Sequence, residues 1–147
     1  VGNIKAITMK TSNLDNSGSV LTNNLTTTEN INKGSITAKN ISSQNLVNSG
    51  SVISDNITVA DNITNTNNIF ANEKISADKI SNSNKLVAKN ITVEKSLNNI
   101  NGKITSLNTN INTSDIKNNN GTIQAIKNIN IHAEITTINE VSSLTIV

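Results

Sequence analysis

Three carboxylates, Asp55, Asp61 and Asp78, are the side chains of this chain best spaced to do chemistry. The repeat described below places them in successive turns. It gives Asp61 and Asp78 one shared position, two residues before an apolar anchor, so the two would stack about 5 Å apart. Such a pair is the raw material of a weak cation site, or of the two-carboxylate arrangement that cleaves glycosidic bonds. Lys79 and Lys95 lie close enough in sequence to neutralise it. A solvated surface pair is the expected outcome. His132 is the single histidine, and there is no cysteine. A multi-histidine metal site, a thiolate site and a disulfide framework are all beyond this chain. We therefore expect no catalytic, cofactor-binding or metal-binding residue, no cofactor and no enzymatic activity. His132 is expected to sit exposed near the end of a strand.

Recognition chemistry is equally sparse. The net charge is +2, and all 12 basic residues are lysine. Arginine is the side chain that reads base edges and grips phosphates in fork geometry, and aromatic rings are the stacking platforms for bases. Without arginine, and with Phe70 as the sole aromatic, nucleic acid is not an expected partner. No apolar run is long enough to insert into a membrane. Asn-x-Ser/Thr acceptor sequences occur at Asn24, Asn40, Asn56, Asn62, Asn90, Asn112 and Asn120, in phase with the repeat. Threonine clusters only briefly, at 26–28 and 136–137, which is too irregular for an ice-binding array. Phe70 is expected to fill a local bulge or shield a corner.

The elements that must position these residues are written in the glycines. Gly2, Gly18, Gly34, Gly50, Asn67, Asn84, Gly102, Gly121 and Asn139 lie 16, 16, 16, 17, 17, 18, 19 and 18 residues apart. Each stands two residues before a β-branched residue or leucine, from Ile4 and Val20 through to Ile123 and Val141. Glycine and asparagine tolerate left-handed backbone most cheaply, so each mark reads as a sharp corner feeding a buried strand. Apolar anchors follow each corner in threes: Val20, Leu25, Ile31; Ile36, Ile41, Leu46; Val52, Ile57, Ile63; Leu86, Ile91, Leu97. Alternation in Ile57-Thr58-Val59 and Ile91-Thr92-Val93 points the middle residue outward.

Asparagine, 31 residues in all, also recurs before the second anchor at Asn24, Asn40, Asn56, Asn90, Asn110 and Asn128. Stacked coil on coil, these amides would form a ladder. Lys39 against Asp55 reads as a surface ion pair between adjacent coils. An asparagine-rich composition can signal disorder, but the regular Ile and Val beats argue for order. The apolar segment 129–147 has helical spacing at Ile131, Ile135 and Ile138, yet its β-branched composition favours strands. Absence of proline suits backbone amides committed to ladders.

The expected fold is all-β: a right-handed, three-sided parallel β-helix of eight to nine coils of 16–19 residues, a rod roughly 40 Å long. Residues 1–147 read as a single repeat domain, less regular after about 97, within a longer protein. Val1-Gly2-Asn3-Ile4 enters directly in register with no export signal. Its open ends would favour end-to-end stacking.

The unit Leu46-Val47-Asn48-Ser49-Gly50-Ser51-Val52, followed by Asn56-Ile57-Thr58-Val59 and Asn62-Ile63, resembles the repeats of filamentous haemagglutinin-type exoproteins. These include large adhesins and contact-dependent growth-inhibition effectors exported by two-partner secretion. The likeness covers roughly residues 13–131, and Ser51 stands where that family has a second glycine. It implies a secreted rod on the bacterial cell surface that holds adhesive or toxic regions away from the cell. The implied partners are a host or bacterial cell-surface receptor, protein or glycan, and an outer-membrane transporter. A trimeric autotransporter or phage-fibre β-helix is the alternative, and a β-helix polysaccharide lyase the third.

Overall fold

The computed structural model describes residues 2–139 and 143–146, with side-chain burial through Ala133. Every regular element among the described residues is a strand. These are β1 (Asn3–Asn16), β2 (Ser19–Asn32), β3 (Ser35–Asn48), β4 (Ser51–Asn65), β5 (Asn68–Asn82), β6 (Lys85–Ile100), β7 (Lys103–Asn119), β8 (Thr122–Asn139) and β9 (Ser143–Ile146). They form one sheet in chain order, each strand pairing in parallel with the next. Parallel neighbours ordinarily need a crossover of a dozen or more residues. Here two residues separate most strands, so each strand must itself wind a full turn. The chain is a β-solenoid of eight turns.

Each turn has three sides. Pairing of β1 with β2 covers residues 3–6, 8–11 and 13–16, and skips Ile7 and Ser12. Those two residues are the first and second corners, and the Ser17–Gly18 turn is the third. On every side the residue pointing inward first is a large aliphatic in most coils. Side one stacks Val20, Ile36, Val52, Ile69, Leu86, Ile104 and Ile123; side two stacks Leu25, Ile41, Ile57, Ile75 and Ile91; side three stacks Leu46, Ile63, Ile80, Leu97 and Ile116. All are at most 2% exposed. Burying each is worth about 1.5–3 kcal/mol, and their near-identical shapes fill a narrow core without aromatic rings.

One expected anchor is wrong. Ile31 points outward and is 38% exposed, in register with Asp15 and Val47. Asn30 takes the inward place between Leu14 and Leu46, 1% exposed. In a 16-residue coil the anchors fall five residues apart throughout; only the longer coils space the third one six away. The expected ladder position Asn110 is also shifted: Asn108 pairs with Asn90, while Asn110 pairs with Thr92.

The corners are tight for a reason other than the one the sequence suggested. None of the glycines has a positive φ. At Gly34 an added Cβ would stand within 3.0 Å of backbone atoms of Ser17 and Gly18 in the coil beneath. Glycine is needed there for close approach of two backbones, not for handedness. Left-handed backbone does occur, at Asn101 (φ 57°) and Asn120 (φ 50°), each just before a glycine. There the glycine follows the inward asparagine before it by three residues, Asn99 to Gly102 and Asn118 to Gly121, against two from Asn32 to Gly34. Where Asn67 replaces glycine, the stacked corner bond Asn68 N–H to Gly50 O stretches to 3.4 Å, against 2.8 Å at Ser51 to Gly34.

Coil length grows at the corners, where the register shifts lie: after Ser43, Ser54, Thr58, Ala71, Ala77, Val93 and Ser106. The sides keep their columns. The last coil departs furthest from expectation: Ile123 pairs with Leu144, 21 residues on, and Asn139 pairs with Asn119 rather than marking a corner. Val141, read as the final anchor, lies outside the described residues. Ile131, Ile135 and Ile138 all lie in β8, so the segment is strand as its composition favours.

Candidate functional site

The most regular chemical feature of the molecule is a column of seven asparagines on side three: Asn16, Asn32, Asn48, Asn65, Asn82, Asn99 and Asn118. All are at most 5% exposed. Each Nδ2 donates to the Oδ1 of the next, at 2.8–2.9 Å along the whole column. The second N–H is used too: Asn32 Nδ2 also reaches Ser51 O at 3.0 Å, and Asn48 Nδ2 reaches Asn68 O at 3.1 Å. Each Oδ1 has a local donor in several coils, as with Gly18 N–H to Asn16 at 3.1 Å and Gly50 N–H to Asn48 at 3.2 Å. A buried amide is costly unless its hydrogen-bonding groups are met, and here stacking meets them. The side chain that closes the third corner thus also ties each coil to the next.

The signal for this spine was in the sequence. Asparagine stands two residues before Gly18, Gly34, Gly50, Asn67 and Asn84, and three before Gly102 and Gly121. Polarity alone argues for an exposed turn residue, which is why the pattern reads first as surface. The expected ladder before the second anchor does form, but outside and in two pieces. Asn24, Asn40 and Asn56 are linked at 2.9 and 3.0 Å, and Asn90, Asn108 and Asn128 at 2.9 and 3.0 Å. Lys74 interrupts them in register.

The candidate carboxylates do not converge. Asp55 and Asp61 share β4 at different corners, so the three are not in successive turns. Asp55 accepts from Asn72 at 2.7 Å rather than pairing with Lys39. Asp61 and Asp78 do occupy the second corner of adjacent coils, and each has a donor of its own. Gln44 donates to Asp61 at 2.8 Å, and Lys95 meets Asp78 at 2.6 Å. The hydrogen bond and charge of Asp78, with Asp61 adding to them, raise the Lys95 ammonium above the ordinary lysine value. Gln44, Asp61, Asp78 and Lys95 are therefore a hydrogen-bonded surface column in which one ammonium faces two carboxylates. Among the described residues no group of three or more His, Cys, Asp or Glu is arranged to hold a metal. His132 is exposed on β8, in register with Asn112.

Phe70 neither fills a bulge nor shields a corner. It points outward from side one, 42% exposed, in register between Ile53 and Val87. The extra residue of its coil is accommodated at Asn72–Glu73 instead. Four acceptor sequences, at Asn24, Asn40, Asn56 and Asn90, lie on side two in the exposed ladders, with Thr26, Ser42, Thr58 and Thr92 in the adjacent outward column. Among the described residues no helix is long and apolar enough to cross a membrane. No protein-family model matches the chain, and neither a curated protein nor a solved structure does.

Proposed function

We propose that this chain is a stalk segment of a secreted bacterial exoprotein of the filamentous haemagglutinin type, a rod that carries adhesive or toxic regions outward from the cell surface. The observation that supports this most is the buried asparagine spine, continuous from Asn16 to Asn118. The chain's most regular chemistry is spent on tying coil to coil. Stability of such a stack is close to a sum of neighbouring-coil contacts, and the rod lengthens by about 4.8 Å for each coil added. All three inward columns come from the same chain, which favours a single-chain rod over a trimeric fibre. In this reading an outer-membrane transporter exports the protein and a cell-surface receptor, protein or glycan, is met by regions the rod presents.

The test is made on the source cells with the full-length protein. An antibody against residues 2–133 should label intact cells, and external protease should remove the label. In purified full-length protein, duplicating the coil 51–67 should move probes on either side of it apart by about 5 Å. Labelling only after the cells are broken open contradicts the stalk reading. So does a duplication that leaves the spacing unchanged.

A further inference from the structure

The outward face of side one changes character along the rod. Ile53, Phe70 and Val87 follow one another in register, and Leu107 and Ile126 bulge in beside them at the first corner. Phe70 and Ile126 are 42% and 55% exposed. With Val87 and Leu107 they line a recess of about 440 Å³. Contiguous exposed apolar surface of this kind marks a binding surface more often than it is left bare.

The rim of the recess is basic. Lys85 and Lys103 open β6 and β7 on one side of it, and Lys89 and Lys127 stand at the first corner on the other. Two acidic residues lie nearby, each with a partner: Glu73 is bound to Lys89 at 2.7 Å, and Asp55 accepts from the lining Asn72 at 2.7 Å. Lys85, Lys103 and Lys127 have no acidic partner among the described residues. On the opposite flank of the same coils charges balance instead: Asp78 with Lys95, and Asp115 with Lys117.

We propose that this recess docks an acidic amphipathic helix of a partner protein. Spacing selects the helix. Apolar residues of the recess recur about every 4.8 Å, once per coil. Successive anchors on a helix face recur about every 5.4 Å, whereas same-face residues of an extended peptide are about 6.6 Å apart. From Phe70 to Ile126 the recess spans about 14 Å, the rise of nine or ten helical residues. The apolar face of the helix fills the groove while its acidic flanks meet Lys85, Lys103 and Lys127.

The probe is a fluorescent designed helix with leucines at i, i+4, i+7 and i+11 and glutamates flanking them, titrated into this chain. A scrambled peptide of the same composition and vesicles of mixed phosphatidylserine and phosphatidylcholine serve as comparisons. The helix should bind about tenfold or more tightly than the scrambled peptide. Phe70→Asp, and separately the pair Lys85→Glu with Lys103→Glu, should weaken it by about tenfold or more. Thr58→Asp, on side two, should leave binding unchanged. Circular dichroism of each variant checks that the solenoid is intact. Equal binding of the scrambled peptide, indifference to Phe70→Asp in a folded variant, or binding of the vesicles in place of the helix overturns the proposal.

Discussion

Coils β2–β3 and coils β4–β6 solve the same packing problem in two ways. The first pair keeps 16-residue turns, closed by Gly18, Gly34 and Gly50, and admits polar side chains into the core: Thr22, Thr27, Asn30 and Ser43. Thr27 and Ser43 hydrogen-bond to each other at 2.8 Å inside it. The later coils lengthen, accept Asn67 and Asn84 where glycine stood, and line the same inward columns mostly with Val59, Ala71, Ala77, Ala88 and Val93, although Ser54 of β4 is still polar and Ala38 of β3 already apolar. The asparagine spine runs through both regions without a break. A tight corner therefore demands glycine, a loose one does not, and the bond that joins the coils is indifferent to the choice.

The largest expected effect tests the corners. Gly34→Ala forces a methyl against backbone of the coil beneath, and should cost about 3 kcal/mol. Asn84→Ala, at the equivalent mark in the later coils, should change stability by less than about 0.5 kcal/mol. Urea unfolding of the two variants measures the difference; equal losses would mean that the early corners are no tighter than the late ones.

Next in size is the spine. Asn82→Ala leaves the Nδ2 of Asn65 and the Oδ1 of Asn99 without their partner, at a cost of about 2–3 kcal/mol. Asn40→Ala, in the exposed ladder, should cost less than about 0.5 kcal/mol. The same unfolding measurement ranks them, and parity between the two would count against the spine's special place.

A gain is expected at the weak point of the early coils. Neither Oδ1 nor Nδ2 of Asn30 has a partner, although it is buried in a column of leucines. Asn30→Leu should stabilise by about 1–2 kcal/mol, seen as a higher melting temperature. A fall would show that the polar group is held in a way this geometry lacks.

The smallest effect concerns Lys95 and Asp78. Folding raises the Lys95 pKa, through its hydrogen bond to Asp78 and then their attraction. That contribution is complete below the ordinary lysine value of 10.5 and is lost as pH rises through the raised one. Lys95→Met should lower the melting temperature least among the destabilising changes of this set, and the gap to the parent should close in strong alkali. A gap that persists there would assign the effect to packing.

Much of this was legible in the sequence, because the glycine and aliphatic beats recur with the coil. The register of side one follows directly from Val20, Ile36, Val52, Ile69 and Leu86. What failed did so locally. Ile31 drew the third anchor one residue too far, since an apolar residue adjacent to the true position mimics it. Asn110 displaced Asn108 because Ile111 follows it as an aliphatic follows the other ladder asparagines, whereas Thr109 holds the inward place after Asn108. The role of glycine was misread because a count of residue types cannot tell a left-handed φ from a close approach. The spine was hidden for a different reason. An asparagine alone is a surface residue, and only stacking against six others satisfies its amide in the core.

Side-chain amide hydrogen exchange, followed by NMR on the intact chain, tests that spine most directly. The Nδ2 protons of Asn48, Asn65, Asn82 and Asn99 should exchange only when coils separate, as slowly as the backbone amides of Ile57 and Ile91. Those of Asn40 and Asn90, on the exposed ladders, should exchange rapidly. Fast exchange throughout, with the backbone still protected, would contradict a buried, continuous asparagine column as the tie between coils.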